Sequence, residues 1–222
     1  MPSTLPSALT PRPAGQYAPV VYIVDDDELV RVALASLLHS VAFDVCSFAS
    51  TEAFLATSKN DGPACLVLDV RLRGESGLVF QQSLVERGQP HMPIIFMSAH
   101  GDIAMTVKAM KAGAVDFLPK PFRDQDMIDA VFAALERDTK RLEAERAVHD
   151  VRMCWELLTP REREVVHHVA AGLMNKQIAA QMGIAEITTK IHRGQAMRKM
   201  NSRSVAELVL KMEALGVVKN LR

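Results

Sequence analysis

The sequence predicts an α/β protein in which a five-stranded parallel sheet is followed by a long helix and a small all-α unit. Three observations lead to this fold class. Between residues 20 and 137, five short apolar runs alternate with segments of helical spacing. Residues 124–157 form a charged helical pattern, and residues 156–222 contain four short helical segments. Strands that alternate with helices favour a parallel sheet covered on both faces.

The strands are predicted from short runs rich in Val, Ile, Leu and Phe. LVRVALASLL at 29–38 has helical spacing, and IAMTVKAMKAG at 103–113 ends with Gly113 as a predicted C-terminal cap. Asp27 and Glu28 are interpreted as opening the first helix, where negative charge suits the helix dipole, with metal binding as the alternative role. The five strand runs are VVYIV at 20–24, FDVCSF at 43–48, ACLVLD at 64–69, PIIFMS at 93–98 and AVDFL at 114–118.

Beyond the sheet, the pattern becomes entirely helical. The segment 124–157 has too few apolar positions for a core, so we interpret it as a solvated linker helix. A two-chain coiled segment stays open as an alternative, although no sustained heptad is visible. Capping boxes at 159–162 and 204–207 predict the starts of two later helices. Asn175 is a predicted cap for a helix that ends at Gly183, and a further helix covers 186–200.

The formal net charge of zero conceals a division along the chain. Residues 1–123 contain 10 basic and 12 acidic side chains, and residues 124–155 contain 5 and 8. Residues 156–222 contain 11 basic and 6 acidic side chains, which gives this segment a charge of +5. Such a segment favours a polyanion partner, with a merely solvated basic surface as the alternative.

Other features narrow the class of protein. Cys46, Cys65 and Cys154 have no metal or redox spacing, which favours a reducing cytoplasm without disulfides. No apolar run approaches the roughly 18 residues of a membrane span, so we expect no membrane association. The Pro- and Ser-rich residues 1–18 are interpreted as a disordered tail.

Polar side chains are concentrated where the predicted strands end. Asp25 and Asp26 end the first strand and Asp69 ends the third, so a doubly wound sheet would bring them together. Unpartnered, these carboxylates would repel, and Mg²⁺ would relieve that repulsion. Ser98 and Lys120 follow two further strands. The set favours phosphoryl chemistry, in which a carboxylate attacks phosphorus while the metal, ammonium and hydroxyl stabilise its oxygens.

The stretch GIAEITTKIHRGQAMRKM at 183–200 predicts a DNA reader. A short helix, a turn containing Gly183 and a basic helix are typical of a helix-turn-helix unit. A basic solvated face is again the alternative. We expect apolar side chains to face inward and basic ones outward, with Ile187, Ile191 and Met200 inside and Lys190, Arg193, Arg198 and Lys199 outside.

Five motifs in order carry a resemblance to a known family. Residues 20–137 resemble the receiver domain of two-component response regulators, and residues 156–222 resemble the LuxR-type helix-turn-helix domain. The chain is similar to the FixJ/NarL family, in the branch that includes StyR and TodT. The motifs are VDDD (24–27), LVLDVR (66–71), MSAHGD (97–102), AMKAGAVDFLPKPF (109–122) and GLMNKQIA (172–179). The implied architecture is a tail at 1–18, a flavodoxin-like (βα)5 receiver at 19–137, a linker helix at 138–155 and a four-helix LuxR-type domain at 156–222.

The resemblance implies a role for each polar group at the strand ends. Asp69 would be the phosphoacceptor, and Lys120 would contact the phosphoryl group. Asp26 would bind Mg²⁺ directly and Asp25 directly or through water. The backbone carbonyl of Arg71 would complete the protein ligands.

Switching residues are implied in the same way. Ser98 would be the switch hydroxyl and Phe117 the switch aromatic, and a cis peptide would join Lys120 to Pro121. The loop VRLRGESG departs from the family, which usually has a Met-Pro pair where Leu72 and Arg73 stand. This departure leaves the shape of the loop open, because Arg is less rigid than Pro.

For the basic helix, the resemblance implies DNA contacts of two kinds. Lys190 and Ile191 match positions that face base edges, and Arg193 lies nearby. Ala185 replaces a frequent Ser cap and Thr189 a usual Val, so the helix start is expected to fray without DNA. The full set of implied DNA-binding residues is Lys176, Thr188, Lys190, Ile191, Arg193, Arg198 and Lys199, of which Lys176, Arg198 and Lys199 are candidates for phosphate contacts.

Together these features predict a transcription factor activated by phosphorylation, with a sensor histidine kinase, promoter DNA and Mg²⁺ as partners. It would be cytoplasmic, and RNA polymerase is a further candidate partner. Phosphorylation would drive homodimerisation through Val107 and Lys111 on the fourth helix. Leu208 and Met212 on the last helix would pair the DNA-binding domains, with intradomain core as the alternative use of that face.

Two other functions are less well supported by the residues. An aspartate-nucleophile phosphatase usually has a second Asp where Arg71 stands, and no glycine-rich nucleotide loop is present. The chain is therefore not expected to be a dedicated enzyme, apart from slow autodephosphorylation. A constitutive DNA-binding regulator that uses the receiver only for dimerisation stays open as an alternative.

Overall fold

The computed structural model describes residues 18–59, 61–74, 76–86, 92–99 and 103–217. It divides into two compact units, with the division between Leu142 and Glu143. Residues 1–17 of the predicted tail lie outside the described residues. Within the described part, no helix has both the length and the apolar character needed to cross a membrane.

The first unit contains the predicted parallel sheet. Its spatial order is β2-β1-β3-β4-β5, and every neighbouring pair is parallel. The fifth strand begins two residues later than predicted, because the Ala114 N–H still bonds back to the Ala109 carbonyl of the preceding helix. The strands are β1 (Val20–Val24), β2 (Asp44–Phe48), β3 (Ala64–Asp69), β4 (Ile94–Ser98) and β5 (Asp116–Pro119).

Helices connect the strands, as the alternating pattern predicts. Asp27 caps the first helix, since its side chain accepts the Leu29 N–H at 2.8 Å. Gly113 has a φ of 93°, which suits glycine at the turn after the fourth helix. The helices are α1 (Glu28–Ser40), α2 (Thr51–Ala56), α3 (Gly77–Glu86), α4 (Ile103–Lys111) and the 33-residue α5 (Asp124–Glu156). The predicted linker thus continues α5 without a break.

Alternate strand residues point to opposite faces, so the sheet has a core on each side. One core includes Ile23, Val67 and Met97. The other includes Leu66 and Phe96. Because both faces are covered, the polar residues at the strand ends are left along one edge of the sheet, beyond the carboxyl ends.

The second unit is all-α. Thr159 forms the predicted capping box with Glu162. Ser204 accepts the Glu207 N–H, but the Glu207 carboxylate accepts from the Arg203 N–H, so the second predicted box is only half formed. The helices are α6 (Pro160–Ala170), α7 (Asn175–Met182), α8 (Glu186–Lys199) and α9 (Val205–Ala214).

Two predictions for this unit are wrong. Asn175 is the first residue of α7 and Met174 holds the cap position, because the Asn175 side chain bonds to α8 instead. Leu208 and Met212 do not offer a dimer surface, since their exposed fractions are 1% and 0% and both lie in the core of the unit. The alternative, intradomain core, is the correct use of that face.

Candidate functional site

Three carboxylates lie at the carboxyl edge of the sheet, and a lysine joins two of them. Lys120 Nζ lies 2.7 Å from Asp25 Oδ2 and 2.7 Å from Asp69 Oδ2. Asp25 is 1% exposed, whereas Asp69 and Lys120 are partly open to solvent. One ammonium therefore serves two acidic groups.

The register of the sheet brings these side chains together. Val24 of β1 pairs with Leu68 of β3, so Asp25 and Asp69 follow at the same level. The Lys120 N–H donates to the Ser98 carbonyl at 2.8 Å, which aligns the end of β5 with the end of β4. The peptide bond from Lys120 to Pro121 is cis, as the family resemblance implies.

Burial is the main influence on the pKa of Asp25 at this edge of the sheet. Burial raises the pKa of Asp25, hydrogen bonds from Lys120 and the Asp27 N–H lower it, and the nearby Asp69 charge raises it, so that it ends above its ordinary value. Burial lowers the pKa of Lys120, but its bonds to Asp25 and Asp69 outweigh burial and raise it. Lys120 therefore stays an ammonium at neutral pH.

The loop after β3 closes over Asp69 and brings a second cation. The Arg71 N–H donates to Asp69 Oδ1 at 2.9 Å. A Cβ atom at Gly77 would collide with the Asp69 backbone oxygen, so the loop approaches this closely only because residue 77 is glycine. Arg73 Nε lies 2.9 Å from Asp26 Oδ2. Neither this ion pair nor the close approach at Gly77 was predicted from the sequence.

The donor chemistry of this edge fits Mg²⁺. Carboxylate oxygens and a backbone carbonyl are hard oxygen ligands of the kind that this ion prefers. Across the residues that the structure describes, no three His, Cys, Asp or Glu side chains are gathered as a metal cluster. The carboxylates of Asp25, Asp69 and Asp26 instead point to Lys120 and Arg73. A metal would share or take over these oxygens.

The predicted switch residues lie close to this edge. Ser98 is fully buried at the end of β4. Phe117 is buried in β5, with its ring centroid 6.4 Å from that of Phe96. Val107 and Lys111 are exposed on α4, so they are available to a partner.

The exposed face of α8 carries the predicted DNA-binding side chains. Lys190 and Arg198 are exposed, and Lys176 is exposed on α7. The expectation that Ile187 and Ile191 face inward is wrong, because their exposed fractions are 64% and 52%. Thr188 is half-buried, and the core positions of α8 are instead Thr189, Ala196 and the following Met200.

Two basic side chains of this face have partners inside the unit. Arg193 Nη1 donates to Asn175 Oδ1 at 2.7 Å, which ties α8 to the start of α7. Lys199 Nζ lies 2.7 Å from Glu162 Oε2, a carboxylate that is 2% exposed. These partners were not predictable from the sequence, although Glu162 stood out as the Glu at the third helical position of the capping box. Lys199 therefore has a structural role besides its predicted contact with phosphate.

Comparison with known families matches both units. Residues 21–132 match the response regulator receiver domain, and residues 156–212 match the luxR family of bacterial regulatory proteins. The chain belongs to the response regulator family. Its arrangement of a receiver followed by a LuxR-type domain places it among FixJ/NarL regulators.

Similar response regulators cover nearly the whole chain. Nodulation protein W of Bradyrhizobium diazoefficiens is 53% identical over 201 residues, which cover 90% of this chain and 88% of that protein. Response regulator protein TodT of Pseudomonas putida is 43% identical over 198 residues, covering 89% and 87%. The solved structure of response regulator StyR is 44% identical, has a TM-score of 0.80 and covers 89% of this chain and 99% of that one.

This response regulator is therefore a two-component transcriptional regulator and not a dedicated enzyme. The receiver implies a kinase partner, and the LuxR-type domain implies DNA binding. The fold class and the family expected from the sequence are both confirmed. The domain boundaries at 19–137, 138–155 and 156–222 stay a prediction.

Proposed function

We propose that Asp69 accepts a phosphoryl group from a phosphohistidine of the sensor kinase, with Mg²⁺ bound, and that this modification drives dimerisation and promoter binding in the cytoplasm. The observation that carries the proposal is the ammonium of Lys120, held 2.7 Å from both Asp25 and Asp69. A cation beside a partly exposed carboxylate at a strand end is suited to anionic phosphorus chemistry.

The transfer exchanges one bond for another. An Asp69 carboxylate oxygen bonds to phosphorus, the phosphorus–nitrogen bond of phosphohistidine breaks, and the imidazole leaves with the electron pair and takes up a proton. Lys120 stabilises the charge on the phosphoryl oxygens as the transfer proceeds. The Arg71 N–H orients Asp69 through its bond to Oδ1.

Asp25, Asp26, Asp69 and the Arg71 carbonyl are the residues that would hold Mg²⁺. The bound ion supplies positive charge against the phosphoryl oxygens and relieves repulsion among the carboxylates. Asp25 suits this role, because its carboxylate shares the single ammonium of Lys120 with Asp69.

The phosphorylated state differs from the starting state in its charge. The aspartyl phosphate carries roughly 1.5 to 2 negative charges at neutral pH, whereas the free carboxylate of Asp69 carries one. Ser98 then turns toward a phosphoryl oxygen, and Phe117 moves into the space it leaves. This changes the surface of α4, where Val107 and Lys111 are exposed, and two receivers join there.

Dimerisation brings two copies of α8 to paired half-sites on DNA. Lys190 and Ile191 reach base edges, with Thr188 and Arg193 beside them. Lys176, Arg198 and Lys199 contact phosphates. The exposure of Ile191 supports its place among the base contacts, since an apolar side chain can meet a thymine methyl group.

The central experiment incubates the full chain with a small acyl phosphate and Mg²⁺ and records intact mass, dimerisation and DNA binding. We expect a mass gain of one phosphoryl group that Asp69→Asn abolishes and that Asp61→Asn, at an exposed aspartate in a loop, retains. No gain, or a gain that survives Asp69→Asn, contradicts the proposal. Phosphorylation without any change in dimerisation or DNA binding would favour the constitutive regulator instead.

A second experiment tests the DNA contacts. Lys190→Ala should weaken binding at one base position by about 1–3 kcal/mol, whereas Lys176→Ala should weaken binding to every sequence and lower the salt slope by about one. If both variants match the wild type in DNA affinity and in salt slope, α8 and α7 are not part of the DNA interface.

A further inference from the structure

Arg73 is the less firmly held of the two cations at the carboxyl edge of the sheet. Its Nε lies 2.9 Å from Asp26 Oδ2, and its side chain is 89% exposed. Lys120, in contrast, is 20% exposed and has two carboxylate partners. Arg73 can therefore swing into solvent without disturbing any packed group, while Lys120 cannot.

The oxygen that Arg73 holds belongs to a residue of the proposed metal site. Asp26 is 25% exposed, so its carboxylate can be reached from solvent as well as from the loop. A guanidinium and a divalent cation repel each other, and both are attracted to this carboxylate. Binding of either at Asp26 therefore weakens binding of the other.

We propose that Arg73 competes with Mg²⁺ for Asp26 and so sets the concentration at which Mg²⁺ occupies the edge of the sheet. The inference rests on the proposed function, because it takes Asp26 as a magnesium ligand. In the metal-free chain Arg73 neutralises Asp26. When Mg²⁺ binds, the guanidinium leaves Asp26 and Lys120 keeps its place between Asp25 and Asp69.

The expected size of the effect follows from the exposure of the pair. An exposed ion pair of this kind corresponds to a change in affinity of about two- to fivefold. The effect depends on ionic strength, since salt screens charges that are open to solvent. It is largest in dilute buffer and shrinks as potassium chloride is added.

The test measures the dissociation constant of Mg²⁺ by isothermal titration calorimetry on the unphosphorylated full chain. Arg73→Gln should bind Mg²⁺ about two to five times more tightly than the wild type in dilute buffer. Arg73→Lys, which keeps the positive charge, should lie closer to the wild type. An unchanged or weaker affinity in Arg73→Gln overturns the proposal.

Arg123→Gln is the matched comparison, because Arg123 is also an exposed arginine, 84% open to solvent, and pairs with Asp126, which is not among the proposed magnesium ligands. If Arg123→Gln tightens Mg²⁺ binding as much as Arg73→Gln does, the cause is the general electrostatic field and not the pair with Asp26, and the proposal fails. If the wild type binds Mg²⁺ and Arg73→Gln binds it no more tightly, only the competition is overturned. If neither the wild type nor Arg73→Gln binds Mg²⁺, the magnesium site is overturned as well. Mg²⁺ binding by Arg73→Gln alone supports the competition.

Discussion

Each unit of the chain buries one carboxylate beside a lysine, yet the pKa values of the two carboxylates shift in opposite directions. Glu162 lies 2.7 Å from Lys199 and accepts the Thr159 N–H. Burial raises its pKa, but these hydrogen bonds and the Lys199 charge outweigh burial and hold it below its usual range. The pKa of Asp25 is raised despite Lys120.

Burial is the largest influence on the pKa of Asp25 and is not outweighed there, and the charge of the second carboxylate that shares Lys120 raises this pKa further. Lys199 serves Glu162, and a backbone N–H completes the carboxylate's partners. Lys120 is divided between Asp25 and Asp69, so negative charge remains at the carboxyl edge of the sheet. A buried carboxylate whose charge is balanced by its partners stabilises a fold. A buried carboxylate whose charge is not balanced attracts a further cation, or lowers stability at a site that is used for chemistry.

The largest expected effect tests the structural side of this comparison. Glu162→Ala removes the partner of Lys199 and leaves the Thr159 N–H unpaired, so we expect the second unit to lose about 2–3 kcal/mol of unfolding free energy. Urea unfolding followed by the fluorescence of Trp155, the single tryptophan of the chain, measures it. Glu164→Ala, on the same helix but in an exposed pair with Arg161, should cost about 0.5 kcal/mol or less. Equal losses in the two variants would contradict the comparison.

A second test uses the two ends of one strand. Asp138 of α5 is buried, accepts the Ala64 N–H at the start of β3 at 2.8 Å, and pairs with Arg141. Asp138→Ala leaves that buried N–H unpaired, so we expect a loss of about 1–2 kcal/mol. Hydrogen exchange of β3 amides, resolved by mass spectrometry, reports it.

Glu136→Ala is the control for Asp138, since its exposed pair with Lys140 lies on the same helix. We expect the free energy of exchange of the β3 amides in Glu136→Ala to lie within about 0.5 kcal/mol of the wild-type value. If the β3 amides are equally protected from exchange in Asp138→Ala and Glu136→Ala, Asp138 does not hold α5 to the strand.

At the other end of β3, we expect a substitution to raise the unfolding free energy of the first unit and not to lower it. Asp69→Asn removes the charge that repels Asp25 and leaves Lys120 to Asp25, so we expect the first unit to gain roughly 1 kcal/mol or less without metal. Hydrogen exchange of β1 and β3 amides measures this gain. A loss greater than about 1 kcal/mol would show that Asp69 is as structural as Glu162.

Sequence reasoning predicted the parts of the fold and site that depend on local pattern. Strand alternation indicated the parallel sheet, and strand ends indicated Asp25, Asp69 and Lys120, because parallel strands bring such ends to one edge. Partners from distant parts of the chain were not predictable, since pairs such as Glu162 with Lys199 depend on how helices pack.

The orientation of α8 shows the same limit. Its apolar residues alone suggested that Ile187 and Ile191 face the core, but the core side of the helix is formed by Thr189 and Ala196. A buried Thr and Ala allow helices to approach closely and have weak hydrophobic signals. The two isoleucines that were expected inside are therefore left on the outer face.

The smallest expected effect concerns pH, because the contributions of Glu162 and Asp25 to stability depend on pH in opposite directions. The pKa of Glu162 lies below its ordinary 4.5, so its contribution to stability is present above pH 4.5 and is lost as pH falls through the folded value. The pKa of Asp25 lies above its ordinary 3.8, so the folded chain binds that proton first. Its contribution is present below pH 3.8 and is lost as pH rises through the folded value.

We therefore expect acidification from neutral pH toward pH 4 to narrow the stability difference between the wild type and Glu162→Gln in the second unit. Asp25→Asn should stabilise the first unit at neutral pH, because it removes a charge that burial disfavours. This gain should shrink over the same pH range, because protonation already removes that charge. Urea unfolding by Trp155 fluorescence and hydrogen exchange of β1 amides, each at several pH values, measure the two differences. A gain for Asp25→Asn that grows on acidification would contradict the raised pKa that burial, with the Asp69 charge, gives this carboxyl.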